Sequence, residues 1–209
     1  MKNKWIKLGG TVATVLALTA SVQAIPSAPS FQISLNGTTW TSEINGFFGS
    51  FGSFTTVQLG ATITGTGANP ILDLSTLNVA GTGTLYVEMS ATGFGPTTAP
   101  YFAHLGGNIG GSDSVTWNSY VSSLNTLYAT STQLFNATGL VGAVNSSQSG
   151  TINQSGIYSM TEEYIITSTG NSVSLDGNIS TQVPDGGATA MLLGSALSAL
   201  ALFRKKLIA

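Results

Sequence analysis

Between Phe31 and Ser180, apolar and polar residues alternate with a period of two in run after run, and glycine, asparagine or proline closes most runs. Phe31, Ile33 and Leu35 alternate with Gln32 and Ser34, and Val57, Leu59, Ala61 and Ile63 with Thr56, Gln58, Gly60 and Thr62. Leu85, Val87 and Met89 alternate with Tyr86, Glu88 and Ser90. Tyr158, Met160, Tyr164 and Ile166 fall on one face of a further run, opposite Ser159, Thr161 and Glu163. Val173, Leu175 and Ile179 alternate with Ser174, Asp176, Asn178 and Ser180. Successive side chains of a strand point to opposite sides, so each run describes a strand with one dry and one wet face. Antiparallel sheets accept such strands, packing one face on a core and leaving the other in water.

With further strands expected near 71–79 and 115–121, the pattern predicts an all-β fold over residues 25–182. The expected architecture is an antiparallel β-sandwich, jelly-roll or Ig-like. Leu124, Leu127 and Tyr128 offer a helical stripe, but the serine and threonine density of 120–135 favours strand or loop. Residues 93–112 hold two prolines and six glycines and read as a long surface loop. Residues 46–54, with their four phenylalanines, read as a turn whose rings plug the core.

Charge excludes more by its placement than by its amount. Only 7% of residues are charged, against roughly 25% in an average soluble protein. All six cations sit at the ends, at Lys2, Lys4, Lys7, Arg204, Lys205 and Lys206, and all eight carboxylates lie between them. A domain without a lysine or arginine has no basic patch for nucleic acid and no clamp for a phosphate or carboxylate substrate.

Few residues can carry chemistry. The chain has no cysteine and one histidine, His104, which excludes a disulfide framework, a thiol nucleophile and a multi-histidine metal site. No Gly-x-Ser-x-Gly elbow supports a serine nucleophile for His104. Glu162 and Glu163 are adjacent, and adjacent strand residues face opposite sides, so they cannot flank one glycosidic bond. The expected part of one or both is to keep the strand soluble. Asp73, Asp113 and Asp176 are candidate calcium ligands, without an Asp-x-Asp-x-Asp loop to gather them. Trp40 and Trp117 can stack on sugar rings, or fill a core. No catalytic residue, metal or cofactor is assigned, and the expectation is a protein that is not an enzyme.

The two ends read as targeting segments. Residues 1–24 combine a lysine-containing start, an apolar stretch over about 8–20, and Val22-Gln23-Ala24 before Ile25. This is the pattern of a secretory signal peptide that signal peptidase cuts between Ala24 and Ile25. At the other end, Val183-Pro184-Asp185-Gly186-Gly187 precedes an uncharged stretch over 188–203 and then Arg204, Lys205 and Lys206. A helix over 188–203 reaches about 24 Å at about 1.5 Å per residue, short of a bilayer core of roughly 30 Å. Snorkelling basic residues and local thinning accommodate the difference, and the cationic end stays cytoplasmic as a stop.

This three-part end resembles the PEP-CTERM class of sorting signals, and Val183–Gly187 with the apolar stretch that follows is similar to its VPDSG-CTERM variant. Gly186 stands where the variant's name has serine, and Leu207-Ile208-Ala209 extends beyond the basic cluster. The resemblance implies recognition at Pro184 and Asp185 by a membrane-embedded, exosortase-type sorting peptidase. It also implies a bacterium that secretes exopolysaccharide. The expected protein is therefore exported and held first at the inner membrane through 188–203. It is then released to the cell surface or an exopolysaccharide matrix, with exopolysaccharide as a partner. The alternative from the binding class is a glycan-binding adhesin module.

Overall fold

The computed structural model describes residues 25–66, 69–181 and 194. Among them ten strands follow one another. They are β1 (Ser30–Ser34), β2 (Thr41–Glu43), β3 (Phe48–Phe51), β4 (Phe54–Thr66), β5 (Asn69–Phe94), β6 (Thr97–Ile109), β7 (Ser114–Ser122), β8 (Thr132–Leu140), β9 (Gly142–Gln154) and β10 (Tyr158–Thr181). Every strand pairing among them is antiparallel. The signal peptide, the Val183–Gly187 motif, the basic cluster and, Gly194 apart, the 188–203 stretch lie outside the described residues. Within the described residues no helix is long and apolar enough to cross a membrane.

The sequence suggested many short strands in two sheets. The structure instead builds one ten-stranded sheet around two long strands, β5 and β10, which pair with each other along their whole length. The N-terminal half of β5 takes β4 on its free edge, with β3 beyond it, and the C-terminal half of β10 takes β6 and then β9. Together these make a first half-sheet. The C-terminal half of β5 takes β1 and then β2, and the N-terminal half of β10 takes β7 and then β8. These make the second.

Both long strands change course at the same level. Gly81 and Gly83 on β5 have φ of 151° and 111°, and Gly170 on β10 has φ of 114°. The β5–β10 register slips between Thr169 and Ser172. A β-carbon on Gly81 would meet the Phe54 Cα at 2.4 Å, so only glycine lets β4 pass this close. Asp113 holds the corner from the β6–β7 connection. It accepts from the Thr169 backbone N–H at 2.7 Å and the Thr169 hydroxyl at 2.9 Å, and it lies 2.8 Å from the Ser168 hydroxyl. Burial opposes its charge, but these hydrogen bonds and one from the Asn171 amide outweigh that and hold its carboxyl below the ordinary range.

The two halves share one hydrophobic core. Val57, Leu59, Leu72 and Leu74 come from the first half, and Phe31, Ile33, Val87, Trp117 and Tyr164 from the second. Tyr101 on β6 donates to the Leu134 carbonyl on β8 at 3.0 Å and stacks on Phe135, with ring centroids 6.1 Å apart. The arrangement is consistent with a two-layer sandwich.

One expectation is corrected and two open readings are decided. Residues 97–109 are not loop but β6: Ala99, Tyr101, Ala103, Leu105 and Ile109 are buried while Thr98, Pro100, Phe102 and His104 are exposed. Pro100 is exposed, the fourth residue of β6, and stands opposite Thr151 on β9. Glu162 does not keep its strand soluble. It lies on the Met160–Tyr164 face and is wholly buried. Trp117 is likewise wholly buried, against Phe135 at 4.5 Å between centroids, and offers no ring to a sugar. Of the phenylalanines in 46–54, Phe54 is core, Phe47 and Phe51 pack against the core, and Phe48 is exposed.

Candidate functional site

The outer face of the second half-sheet carries a polar row that crosses every strand in register. Ser42 on β2 pairs with Gln32 on β1, Gln32 with Glu88 on β5, Glu88 with Glu163 on β10, Glu163 with Asn118 on β7, and Asn118 with Asn136 on β8. Cross-strand partners sit about 5 Å apart, so the row is a continuous strip of amides around two carboxylates. Period-two alternation built it, because each member from Gln32 to Asn136 lies one residue from a buried side chain.

The strip is wired towards its centre. Gln32 donates its amide to Glu88 Oε2. From the other side Asn118 donates to Glu163 Oε2 at 2.7 Å and the Tyr120 hydroxyl donates to the same atom at 3.3 Å, while Asn136 donates to Asn118 Oδ1. Glu88 is only 6% exposed. Burial pushes its carboxyl up to about 7, the Gln32 amide works against that, and the charge on Glu163 adds to it.

Loops rise on both sides of the strip, two residues along β5 from Glu88 in either direction. The 123–131 loop places Tyr128 on one side, with the Tyr128 N–H on Ser90 Oγ at 2.9 Å and its hydroxyl on Ser30 Oγ at 2.8 Å. Tyr128 and Asn125 adopt φ of 60° and 51°, and Asn125 anchors the loop by accepting from the Gly93 N–H at 2.7 Å. On the other side half-buried Trp40 meets Tyr86 edge-on, 6.4 Å between centroids. A strip of acceptors and amides between aromatic walls suits hydroxyl groups: the carboxylates accept from O–H, the amides do both, and ring faces cover C–H surfaces.

The residues singled out from sequence fare unevenly. Asp73 sits on β5 against Thr62 at 3.2 Å, Asp113 is buried at the corner, and Asp176 is exposed on β10, so the three do not converge. Among the described residues no three His, Cys, Asp or Glu side chains gather as a metal set. His104 lies on the first half-sheet, its Nε2 3.1 Å from Asn145 Oδ1; its partner is an amide, so no hydroxyl nucleophile is paired with it. The Glu88–Glu163 pairing was missed. Its signal was present in two runs of alternation, but only the β5–β10 register sets the two carboxylates side by side.

No curated protein sequence matches the chain. Solved structures similar to it include the K3 cleaved adhesin domain of Lys-gingipain from Porphyromonas gingivalis, at 9% identity over 51% of this chain and 74% of that one, with a TM-score of 0.33. Another is TmCBM61 in complex with β-1,4-galactotriose, at 8% identity over 64% and 92%, with a TM-score of 0.34. A third is the enzymatically active domain of tailspike protein 4 of bacteriophage CBA120, at 9% identity over 59% and 19%, with a TM-score of 0.36. Likeness at this level bears on neither ligand nor activity. The C-terminal comparison is specific: residues 182–207 match the family model for the VPDSG-CTERM motif. The chain thus ends in a VPDSG-CTERM motif, a C-terminal sorting signal of the PEP-CTERM kind that marks an exported protein.

Proposed function

We propose that this is a non-enzymatic protein of the cell surface or exopolysaccharide matrix, delivered there by its two terminal signals. Signal peptidase cuts between Ala24 and Ile25, and the 188–203 stretch then holds the chain at the inner membrane with Arg204, Lys205 and Lys206 on the cytoplasmic side. An exosortase-type peptidase recognises Val183–Gly187, around Pro184 and Asp185, and releases the β-domain. The observation that carries this reading is the motif match over 182–207. The experiment compares the mass of the mature protein in strains with and without the sorting peptidase. An unprocessed C-terminus in both overturns the sorting step.

A second reading concerns what the domain does once delivered. The domain is a jelly-roll-like sandwich, its two long strands passing from one layer to the other, and it holds a glycan along the Gln32–Glu88–Glu163–Asn118 strip. What supports this is the wired polar row flanked by Tyr128 on one side and Tyr86 on the other. The absence of any lysine or arginine from 25 to 203 favours a neutral polysaccharide over an anionic one. Retention of the protein on immobilised neutral polysaccharides, weakened in Glu163→Gln, tests it. Equal retention of both forms, or none of either, overturns it.

A further inference from the structure

The outer face of the first half-sheet carries a recess of a different make. Phe102 on β6 is 48% exposed, a phenyl ring set among polar side chains of the neighbouring strands. Its ladder partners are Ser180 on β10 and Ser149 on β9; two residues along, His104 lies between Asn178 and Ser147. Phe102, His104, Asn178, Ser147 and Ser149, with Gln148 and Ala103, line a recess of about 290 Å³. Small-molecule sites run from roughly 300 to 1,000 Å³, so this one fits a single ring and not an extended chain.

The lining chemistry narrows the ligand. Hydroxyls, amides and an imidazole surround the phenyl ring, and an apolar ligand would strip them of water without replacing their hydrogen bonds. Asp73 pairs with Asn178 and Asp176 with Gly106, so two carboxylates border the recess. An anion would meet those and find no lysine or arginine anywhere from 25 to 203. What fits is a neutral ring with a C–H face and a rim of hydroxyls.

We propose that Phe102, His104 and Asn178 form a binding site for one neutral pyranose residue, its C–H face on the phenyl ring and its hydroxyls on Asn178 and His104. The site is separate from the strip on the second half-sheet, so the domain grips polysaccharide on two outer faces and can tie two strands together. The choice of a sugar rests on the glycan reading above; the recess itself does not.

His104 is the single histidine of the chain, so its ring C–H resonance reports this recess alone. The test titrates the full chain, ¹³C-labelled at histidine and held in a sugar-free neutral detergent, with maltotriose, cellotriose, mannotriose and galactotriose in turn. At least one is expected to shift the His104 resonance saturably in the millimolar range. Phe102→Ala is expected to weaken that binding tenfold or more, Phe102→Tyr to keep it, and Glu163→Gln to leave it unchanged. No shift with any of the four, or a shift that survives Phe102→Ala, overturns the recess. Binding heat that vanishes in Glu163→Gln while His104 never moves overturns the recess and sustains the strip; the opposite pattern sustains the recess and overturns the strip.

Discussion

Ser119 on β7 faces Glu162 on β10 directly across the ladder, and each keeps one buried oxygen, Ser119 Oγ and Glu162 Oε1, without a hydrogen-bond partner among the described residues. The other carboxyl oxygen of Glu162 is well served, by Trp117 Nε1–H at 3.1 Å and by the Tyr164 hydroxyl. A proton on Oε1 removes the charge that burial opposes, so the neutral carboxyl is the form this site favours. Burial pushes the Glu162 carboxyl up to about 7, while the Tyr164 and Trp117 hydrogen bonds work against it. The folded state therefore binds this proton more tightly than the unfolded chain, whose carboxyl titrates near 4.5.

The sign of the pH dependence follows. The stabilising contribution is complete below about 4.5 and is lost as pH rises towards about 7, on the order of 3 kcal/mol from Glu162 at 1.36 kcal/mol per unit. Glu88, with the same raised value, adds loss of the same sign in the same window. Urea midpoints measured from pH 4 to 8 are expected to fall across that range. Glu162→Gln is expected to flatten the fall in part and to leave the share of Glu88. A midpoint that rises with pH would contradict both assignments.

Trp117 and Trp40 are predicted to differ sharply. Trp117→Ala empties a fully buried site and removes one donor to Glu162, costing about 3–5 kcal/mol. Trp40 is half-buried and meets only Tyr86 edge-on, so its removal costs about 1 kcal/mol. Denaturation of the two variants side by side checks this, and loss of glycan retention in Trp117→Ala would report unfolding and not a lost contact.

These two tryptophans show where sequence reading stops. Alternation identified the core faces of β1, β4, the C-terminal half of β5 and both ends of β10 nearly residue by residue, because large apolar side chains mark them. It failed on β6, where alanine stands at two core positions and Pro100 and Gly106-Gly107 look like loop. It also missed β8 and β9, which bury little beyond Phe135, Val144 and Ile152. Glu162 was invisible as a core residue because a carboxylate in a core runs against the usual sorting of charge to the surface. The strip depends on register between strands about 75 residues apart, Glu88 and Glu163, and a one-residue slip would turn it inwards. Alternation contains no information about that register.

The corner at Gly170 is predicted to depend on Asp113. Asp113→Ala takes away the acceptor for the Thr169 N–H and hydroxyl, while the Ser168 hydroxyl keeps the Gly81 carbonyl at 2.7 Å. The expected cost is about 1–3 kcal/mol, with Asp113→Asn intermediate because its amide keeps one acceptor. Its pH signature runs opposite to that of Glu162. A carboxyl held below its ordinary range loses its contribution as pH falls, so Asp113→Ala should be closest to the parent protein in strong acid. Denaturant midpoints at neutral and acidic pH read both effects.

On the strip, Glu88 and Glu163 stand as direct cross-strand neighbours, and the charge of Glu163 adds to the burial that raises the proton affinity of Glu88. Glu163→Gln is therefore expected to lower the Glu88 value from about 7 but not to restore 4.5, since burial is the larger cause and remains. Carboxyl ¹³C shifts followed through a pH titration measure this, and an unmoved Glu88 would show that the two carboxyls do not sense each other. Glycan retention should follow the same titration. An ionised carboxylate accepts a hydroxyl proton roughly twice as strongly as a neutral group does. Retention on the strip should therefore rise as pH passes through about 7 and become level with pH in Glu88→Gln. A parent protein whose retention ignores pH over this range would place the glycan off the carboxylate pair.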